Sequence, residues 1–370
     1  MLKQYKIRNY DFKLVILVVA LTFIGIFAVG SAADESLQRT QIMGFIFGSF
    51  LMLVISLFDY SVLLKLYWLS YIGSIGLLLL VYVFGETTSG AQRWITLLGI
   101  RFQPSELAKI LLILFYAQFI MKHREKLNTF KNIGLCCLFI LPSLYFIYKQ
   151  PNLSTTIVVA VMFCVIMFVG GISWKLVTGI LAVFIPTAII LFTIIIQPDQ
   201  TLIKDYQQAR ILAFLYPDKY ANAEAYQQLN SIMAIGSGQL YGKGYKTNEI
   251  SSVKNGNFIS EPQTDFIFAV IGEEFGFVGS CVVIVLLVLV TLECIFIAHR
   301  AKDLAGSIIA AGMAGLIGFQ GFLNIGVTTM LLPNTGVTLP FVSYGLTSLV
   351  SLYIGIGFVL NVGLQCKKYY

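Results

Sequence analysis

The chain of 370 residues is 58% hydrophobic and 12% charged, with a formal net charge of +7 and a mean hydropathy of +0.84. Soluble domains carry roughly 25% charged residues, so a water-soluble enzyme, a disordered chain and a disulfide-stapled secreted domain are excluded. The apolar runs are continuous instead of alternating, which argues against a β-barrel.

Charge-free apolar runs at 14–33, 40–58 and 66–85 each reach the ~20 residues that a helix needs to cross a bilayer core. Lys3, Lys6 and Arg8 before the first run and Ser31-Ala32-Ala33 at its end mimic a signal peptide. The run is longer than the roughly 7–15 residues of an h-region, so a retained first helix is expected. The fourth span is read at 105–121, where Pro104 suits a first helical turn and Glu106 the positive end of the dipole. Spans five to seven are read at 132–148, 150–174 and 176–198. A polar stretch, 199–263, follows. The eighth span covers 275–292, with its helix starting near Asp265. The last charge-free stretch, 304–366, is too long for one crossing. Leu332-Pro333-Asn334-Thr335-Gly336 and Pro340 mark a loop in it and divide it into spans at 304–330 and 341–364. The expectation is an all-α polytopic membrane protein, one domain of ten transmembrane helices.

With ten spans both termini share a side. That side collects Lys3, Lys6, Arg8, Lys13, Lys65, Lys122, Arg124, Lys126, Lys131, Lys175, Arg300, Lys302, Lys367 and Lys368, against Arg39, Arg93, Arg101 and Lys149 in the short loops opposite. Basic residues accumulate on the cytoplasmic side, which places both termini there and makes 199–263 a large extracytoplasmic loop between helices seven and eight. That loop holds six basic and six acidic residues, so the net positive charge is topological and no nucleic-acid partner is implied. The six cysteines form no Cys-x-x-Cys pair, and the two histidines, His123 and His299, sit beside basic turns. Neither a disulfide framework nor a zinc site is suggested, and no covalently bound cofactor is implied.

Within 199–263, two amphipathic pieces near 205–215 and 225–235 are expected to lie on the membrane surface. Gly236-Ser237-Gly238 and Gly242-Lys243-Gly244 follow. The G-x-x-x-x-G-K-[ST] pattern fails at Ser237 and at Gly244, leaving a flexible hinge or a backbone cradle for a diphosphate. Ionisable residues at the edges of spans are costly and mark functional sites; here they are Glu106, Lys109, Asp265, Glu273 and Glu274, with Glu293 more peripheral. Glu106 and Lys109, three apart, share a helix face and can pair, as a structural ion pair or as part of a polar pocket. Asp265 is either a helix cap or a carboxylate whose charged form burial disfavours, suited to general-base duty. Glu273 and Glu274 lie two turns deeper, one of them on Asp265's side or both hydrogen-bonded inside the bundle.

Eight ordered segments carry a resemblance. They are Gly90-Ala91-Gln92-Arg93-Trp94, Arg101-Phe102-Gln103-Pro104-Ser105-Glu106-Leu107-Ala108-Lys109, Gln150-Pro151-Asn152-Leu153-Ser154-Thr155 and Ala234-Ile235-Gly236-Ser237-Gly238, then Gly242-Lys243-Gly244, Thr264-Asp265-Phe266-Ile267-Phe268, Gly272-Glu273-Glu274 and Leu339-Pro340-Phe341-Val342-Ser343-Tyr344-Gly345. Together they resemble the SEDS family (shape, elongation, division and sporulation), whose ten-helix topology matches the count above. Within it the chain is more similar to the rod-shape (RodA) branch than to the division (FtsW) or sporulation (SpoVE) branches. Asn152 stands where the family has Asp, Ser154 where it has Gly, Gln263 where some members have His, Leu346-Thr347 for Gly-Ser, and Gln239 at a position that is often Gly. The departure at 152 removes any acid–base role from that position.

The resemblance implies a peptidoglycan glycosyltransferase that polymerises lipid II at the outer face of the bacterial cytoplasmic membrane, working with a class B penicillin-binding protein. It implies Asp265 as catalytic base. Arg93, Arg101, Arg210, Lys109 and Lys243 are candidates for the lipid diphosphate, Glu106 orients Lys109, and Thr264 and Ser343 join them as substrate-binding residues. A divalent cation, Mg or Mn, could share the charge of the leaving group, although no ligand cluster in the sequence demonstrates one. The rival readings are a lipid II flippase and a scaffold that activates a penicillin-binding protein.

Overall fold

A computed structural model describes residues 10–88, 91–97, 100–197, 200, 203, 205–223, 225–246 and 258–365. The chain order is α1 (Phe12–Ala32), α2 (Glu35–Leu57), α3 (Tyr60–Leu64), α4 (Tyr67–Phe84), β1 (Glu86–Thr88), β2 (Ala91–Leu97), β3 (Ile100–Phe102), α5 (Pro104–Lys122), α6 (Phe130–Lys149) and α7 (Leu153–Val169). It continues with α8 (Trp174–Ile195), α9 (Asp205–Leu215), α10 (Tyr226–Ser237), α11 (Ile267–Arg300), α12 (Leu304–Thr328) and α13 (Leu346–Leu364). Among the described residues, nine helices are long and apolar enough to cross a membrane, and α7 is apolar but shorter. The expected span at 150–174 is trimmed at both ends. Pro151 and the capping Asn152 precede the helix, and Gly170-Gly171, with φ +97° at Gly171, ends it. The last span starts at Leu346 instead of 341, because Phe341 (φ +65°) and Gly345 (φ +155°) extend the preceding loop.

Short side chains start several helices by accepting otherwise unsatisfied amides. Asp11 caps α1 through Leu14 N at 3.1 Å, Asn152 caps α7 through Thr155 N at 3.2 Å, and Asp303 caps α12 through Gly306 N at 2.7 Å. Asn152 therefore has a structural use that needs no acid. The core is built on α5, α12 and α13, the most enclosed of the spans. α2 lies along α13, and α7 and α11 flank α12. At the other extreme, α8 buries none of its residues.

Two features correct the sequence reading. The connection from α4 to α5 is not plain loop: β1, β2 and β3 form an antiparallel sheet in that order, with Ile95 opposite Phe102 and Thr96 opposite Arg101. The β-branched and aromatic run Arg93-Trp94-Ile95-Thr96-Leu97, bracketed by Ser89-Gly90 and Leu98-Gly99 in the sequence, is a hairpin signal. Helix α11 is also longer than one crossing and breaks at Gly276 (φ 63°, ψ −159°). The part from 277 to 300 spans about 36 Å at 1.5 Å per residue, enough to cross on its own. The preceding turns, residues 267–274, are wholly buried in protein.

The break is filled by the glycine-rich segment. Lys243 N and Gly244 N donate to the carbonyls of Glu273 (2.9 Å) and Glu274 (3.1 Å), and Phe277 N and Val278 N donate to those of Gln239 (2.8 Å) and Leu240 (3.2 Å). The cradle amides at 243 and 244 are thus engaged with backbone, which leaves them no diphosphate to hold. Helix α10 is anchored to the bundle by its polar side chains. Gln228 Nε2 reaches Val327 O and Leu332 O, both at 2.9 Å, and Ser231 Oγ donates to Thr328 O at 2.7 Å, seating α10 on the end of α12.

Candidate active site

Asp265 lies in a tight turn just before α11, and Phe266, without a side-chain bond, occupies the helix cap. The capping alternative is therefore set aside. Three consecutive carbonyls of this turn are gripped from α12 and the 329–345 loop. Tyr344 N donates to Gln263 O at 2.8 Å, Ser343 Oγ to Thr264 O at 2.6 Å, and Asn324 Nδ2 to Asp265 O at 2.7 Å. The turn is thereby over-determined, and the direction of the carboxylate is a property of the backbone.

Protein crowds the Asp265 carboxylate while part of its surface stays open to solvent. Burial pushes it up from the ordinary 3.8 to about 6; Arg93 pulls it down, Glu261 adds to the rise and Arg210 opposes it. A carboxylate balanced in this way is deprotonated at neutral pH yet basic enough to take a proton. Arg93 is held from β2 by the turn before α7: Nε donates to Gln150 O at 3.2 Å, and Nη2 to Pro151 O. Arg210 approaches from α9, whose neighbour Gln208 caps the end of α8 through Ile195 O at 2.9 Å and Gln197 O at 2.7 Å. Arg101 is exposed on β3.

Beneath the 329–345 loop runs a closed polar ring. Lys109 Nζ meets Glu106 Oε1 at 2.9 Å and Gln320 Oε1 at 3.2 Å. Gln320 Nε2 donates to Thr338 Oγ1 at 3.2 Å, Thr338 Oγ1 lies 3.5 Å from Ser348 Oγ, and Ser348 Oγ donates to Glu106 Oε2 at 3.1 Å. Glu106 is 6% exposed and Lys109 2%. The pair expected to form does form, as an internal strut instead of a pocket open to substrate.

The remaining candidates separate. Lys243 pairs with Glu273 at 3.0 Å, beside the Gly276 break and two turns into α11. Glu274 accepts from Ser31 Oγ and from Lys246 N at 3.2 Å, which is the bundle-interior alternative. Ser343 Oγ, besides donating to Thr264, accepts from Leu339 N at 2.7 Å, and Thr264 Oγ1 donates to Glu261 O at 2.9 Å. Thr264 and Ser343 shape the turn with their hydroxyls instead of offering them to a substrate. Missed in the sequence were Asn324 and Gln320, uncharged amides four apart in a charge-free run. That spacing puts both on one helix face, and buried amides bridging helices are a known signal in apolar spans.

Residues 9–368 match the family FTSW_RODA_SPOVE, described as "Cell cycle protein". The chain is 37% identical over 306 residues to the peptidoglycan glycosyltransferase MrdB of Escherichia coli (strain K12), covering 81% of this chain and 79% of that protein. It superposes with a TM-score of 0.77 and 31% identity on a chain solved in a study of polymerization and crosslinking by a peptidoglycan synthase complex, covering 96% and 97% of the two. The rod shape determining protein RodA of Thermus thermophilus is similar at a TM-score of 0.70 and 29% identity, over 97% of this chain and 98% of that one.

Proposed function

The chain belongs to the FTSW_RODA_SPOVE family of cell cycle proteins, and on that premise we propose that it is a membrane-embedded peptidoglycan glycosyltransferase that polymerises lipid II. The supporting observation is Asp265: a partly open carboxylate, raised to about 6 by burial and flanked by two arginines. In this reading both termini are cytoplasmic, the spans number ten with α7 included, and Asp265 faces the outer side of the cytoplasmic membrane.

The incoming sugar hydroxyl loses its proton to Asp265 while its oxygen attacks the anomeric carbon of the donor. The carbon–oxygen bond to the lipid diphosphate breaks with inversion, and the diphosphate leaves with the electron pair. Arg93, Arg210 and Arg101 supply the positive charge that the leaving group needs. Lys109 and Lys243, each engaged with a glutamate, support the site instead of gripping the diphosphate, and Glu106 anchors Lys109. Among the described residues no three or more His, Cys, Asp or Glu side chains gather as a metal site; a divalent cation, Mg or Mn, would be held there by Asp265 together with the substrate's own diphosphate and would share the charge of the leaving group. A class B penicillin-binding protein is the partner proposed to crosslink the product.

A helix broken within its length is also a device of secondary transporters. In α11 the freed backbone groups pair with residues 239–244, which leaves the break closed and favours the enzyme over the flippase. The test is glycan polymerisation from lipid II by purified protein with its partner. Asp265→Asn is expected to lower it by at least 10²–10⁴-fold, roughly the worth of a general base, while partner binding persists. Full activity in that variant sinks the base; lipid II translocation in liposomes without polymer supports the flippase, and polymerisation by the partner alone supports the scaffold.

A further inference from the structure

The turn that carries Asp265 is held through its carbonyls. Ser343 and Tyr344 grip the two preceding carbonyls, and the carbonyl of Asp265 itself is gripped by Asn324, which is 1% exposed in α12. The same nitrogen, Nδ2, also donates to Val337 O at 2.6 Å. A carboxamide carries two N–H protons in a fixed planar fork, so one rigid group sets the separation of the two carbonyls. The Oδ1 of Asn324 finds no hydrogen-bond partner among the described residues, so this side chain's polar contribution passes through Nδ2.

Next to Val337 stands Gly336, with φ +68° and its bare α-carbon turned to the catalytic carboxylate. A Cβ at that position would stand 3.2 Å from Asp265 Oδ2. The peptide of 336 is therefore a wall against one oxygen of the base, and the Asn324 fork fixes how far that wall stands from the base's own backbone. We infer that Asn324 is a positioning residue for Asp265, acting through the carbonyls of 265 and 337, and that Gly336 is the wall it holds in place. This rests on Asp265 being the general base.

Among the described residues, the charged groups that act on Asp265 are Arg93 from β2, Arg210 from α9 and Glu261 from its own turn. Helix α12 brings none, and the 329–345 loop brings only Tyr344 as a titratable side chain. A shift in the pH profile on changing Asn324 thus reports the wall and the water it excludes. The experiment compares Asn324→Leu, Gly336→Ala and Asp265→Asn in polymerisation of lipid II, with melting temperature in detergent measured alongside. Asn324→Leu, which keeps the forked outline in a bulkier side chain and removes both donors, is expected to lower kcat about 100-fold, the worth of a misplacement near 1 Å. Its KM for lipid II should stay within about twofold, and the acid limb of its profile should move to lower pH as water reaches the carboxylate. Gly336→Ala should lose kcat similarly. Wild-type kcat in Asn324→Leu, or a loss with an unmoved acid limb, overturns the inference. Should Asn324→Leu not fold, Gly336→Ala decides by kcat alone: a 100-fold loss sustains the wall and a threefold one overturns it. Activity in Asp265→Asn, by contrast, would remove the base itself and not the clamp.

Discussion

At the scale of single residues, the electrostatics of Asp265 lead to two measurable consequences. With Asp265 as the proposed base, the rate should rise through about pH 6 and level off above it. Glu261 adds to the rise of this value, and Glu261→Gln is expected to move the acid limb to lower pH with the plateau kept. Polymerisation from lipid II measured across pH checks this; an unmoved limb removes Glu261 from the balance. The second consequence is for stability. Folding lifts the carboxyl from 3.8 to about 6, so the folded chain binds more protons than the unfolded one between those values, and stability falls as pH rises through that window. Asp265→Asn removes a charge that folding disfavours. It is expected to melt higher than the parent at pH 7.5, with the difference gone below pH 4. Equal melting at both pH values would mean that the carboxylate is solvated as freely in the fold as outside it.

At the scale of elements, the joint between the 239–244 segment and α11 depends on glycine at particular places. A Cβ at Gly238 would overlap the carbonyl of Gly272, and one at Gly242 (φ +83°) would overlap that of Glu274, whereas nothing lies within 4 Å of one at Gly236. Gly238→Ala and Gly242→Ala are each expected to lose about 1–3 kcal/mol through overpacking or backbone strain. Gly236→Ala, inside α10, should be neutral or slightly stabilising. Thermal unfolding in detergent separates them, and equal melting of all three would refute the joint. These glycines also show where the sequence was legible. Apolar run length located the nine long apolar helices found among the described residues and the shorter α7, and amphipathic pattern placed α9, because burial and lipid exposure act locally on composition. The break at Gly276 was not visible, since an apolar helix reads the same whether it is one rod or two. Asp265 could be picked out as a rare carboxylate at a span's edge. Asn324 could be noticed only as an amide in an apolar run, because such a side chain carries no sign of which carbonyls it will meet.

At the scale of the whole molecule, the Glu106–Lys109 ring ties α5, α12, α13 and the 329–345 loop into one body beneath the Asp265 turn. Both charges are buried, and removing one partner of a buried pair leaves the other uncompensated, at a cost of about 3–5 kcal/mol. Lys109→Met alone and Glu106→Gln alone are therefore each expected to destabilise by that order. The double variant carries no stranded charge and should recover much of the loss, a coupling that a double-mutant cycle reads directly. Activity discriminates further. A lysine that gripped the diphosphate would leave the double variant stable but inactive, since its charge is gone. A lysine that serves as a strut lets activity return together with stability, because the loop bearing Gly336, Val337 and Thr338 regains its seat against Asp265. The second outcome is expected, on the ground that Lys109 Nζ already meets Glu106 at 2.9 Å and Gln320 at 3.2 Å and the side chain is almost wholly enclosed. Melting temperature and lipid II polymerisation measured on the same four proteins decide between the two roles.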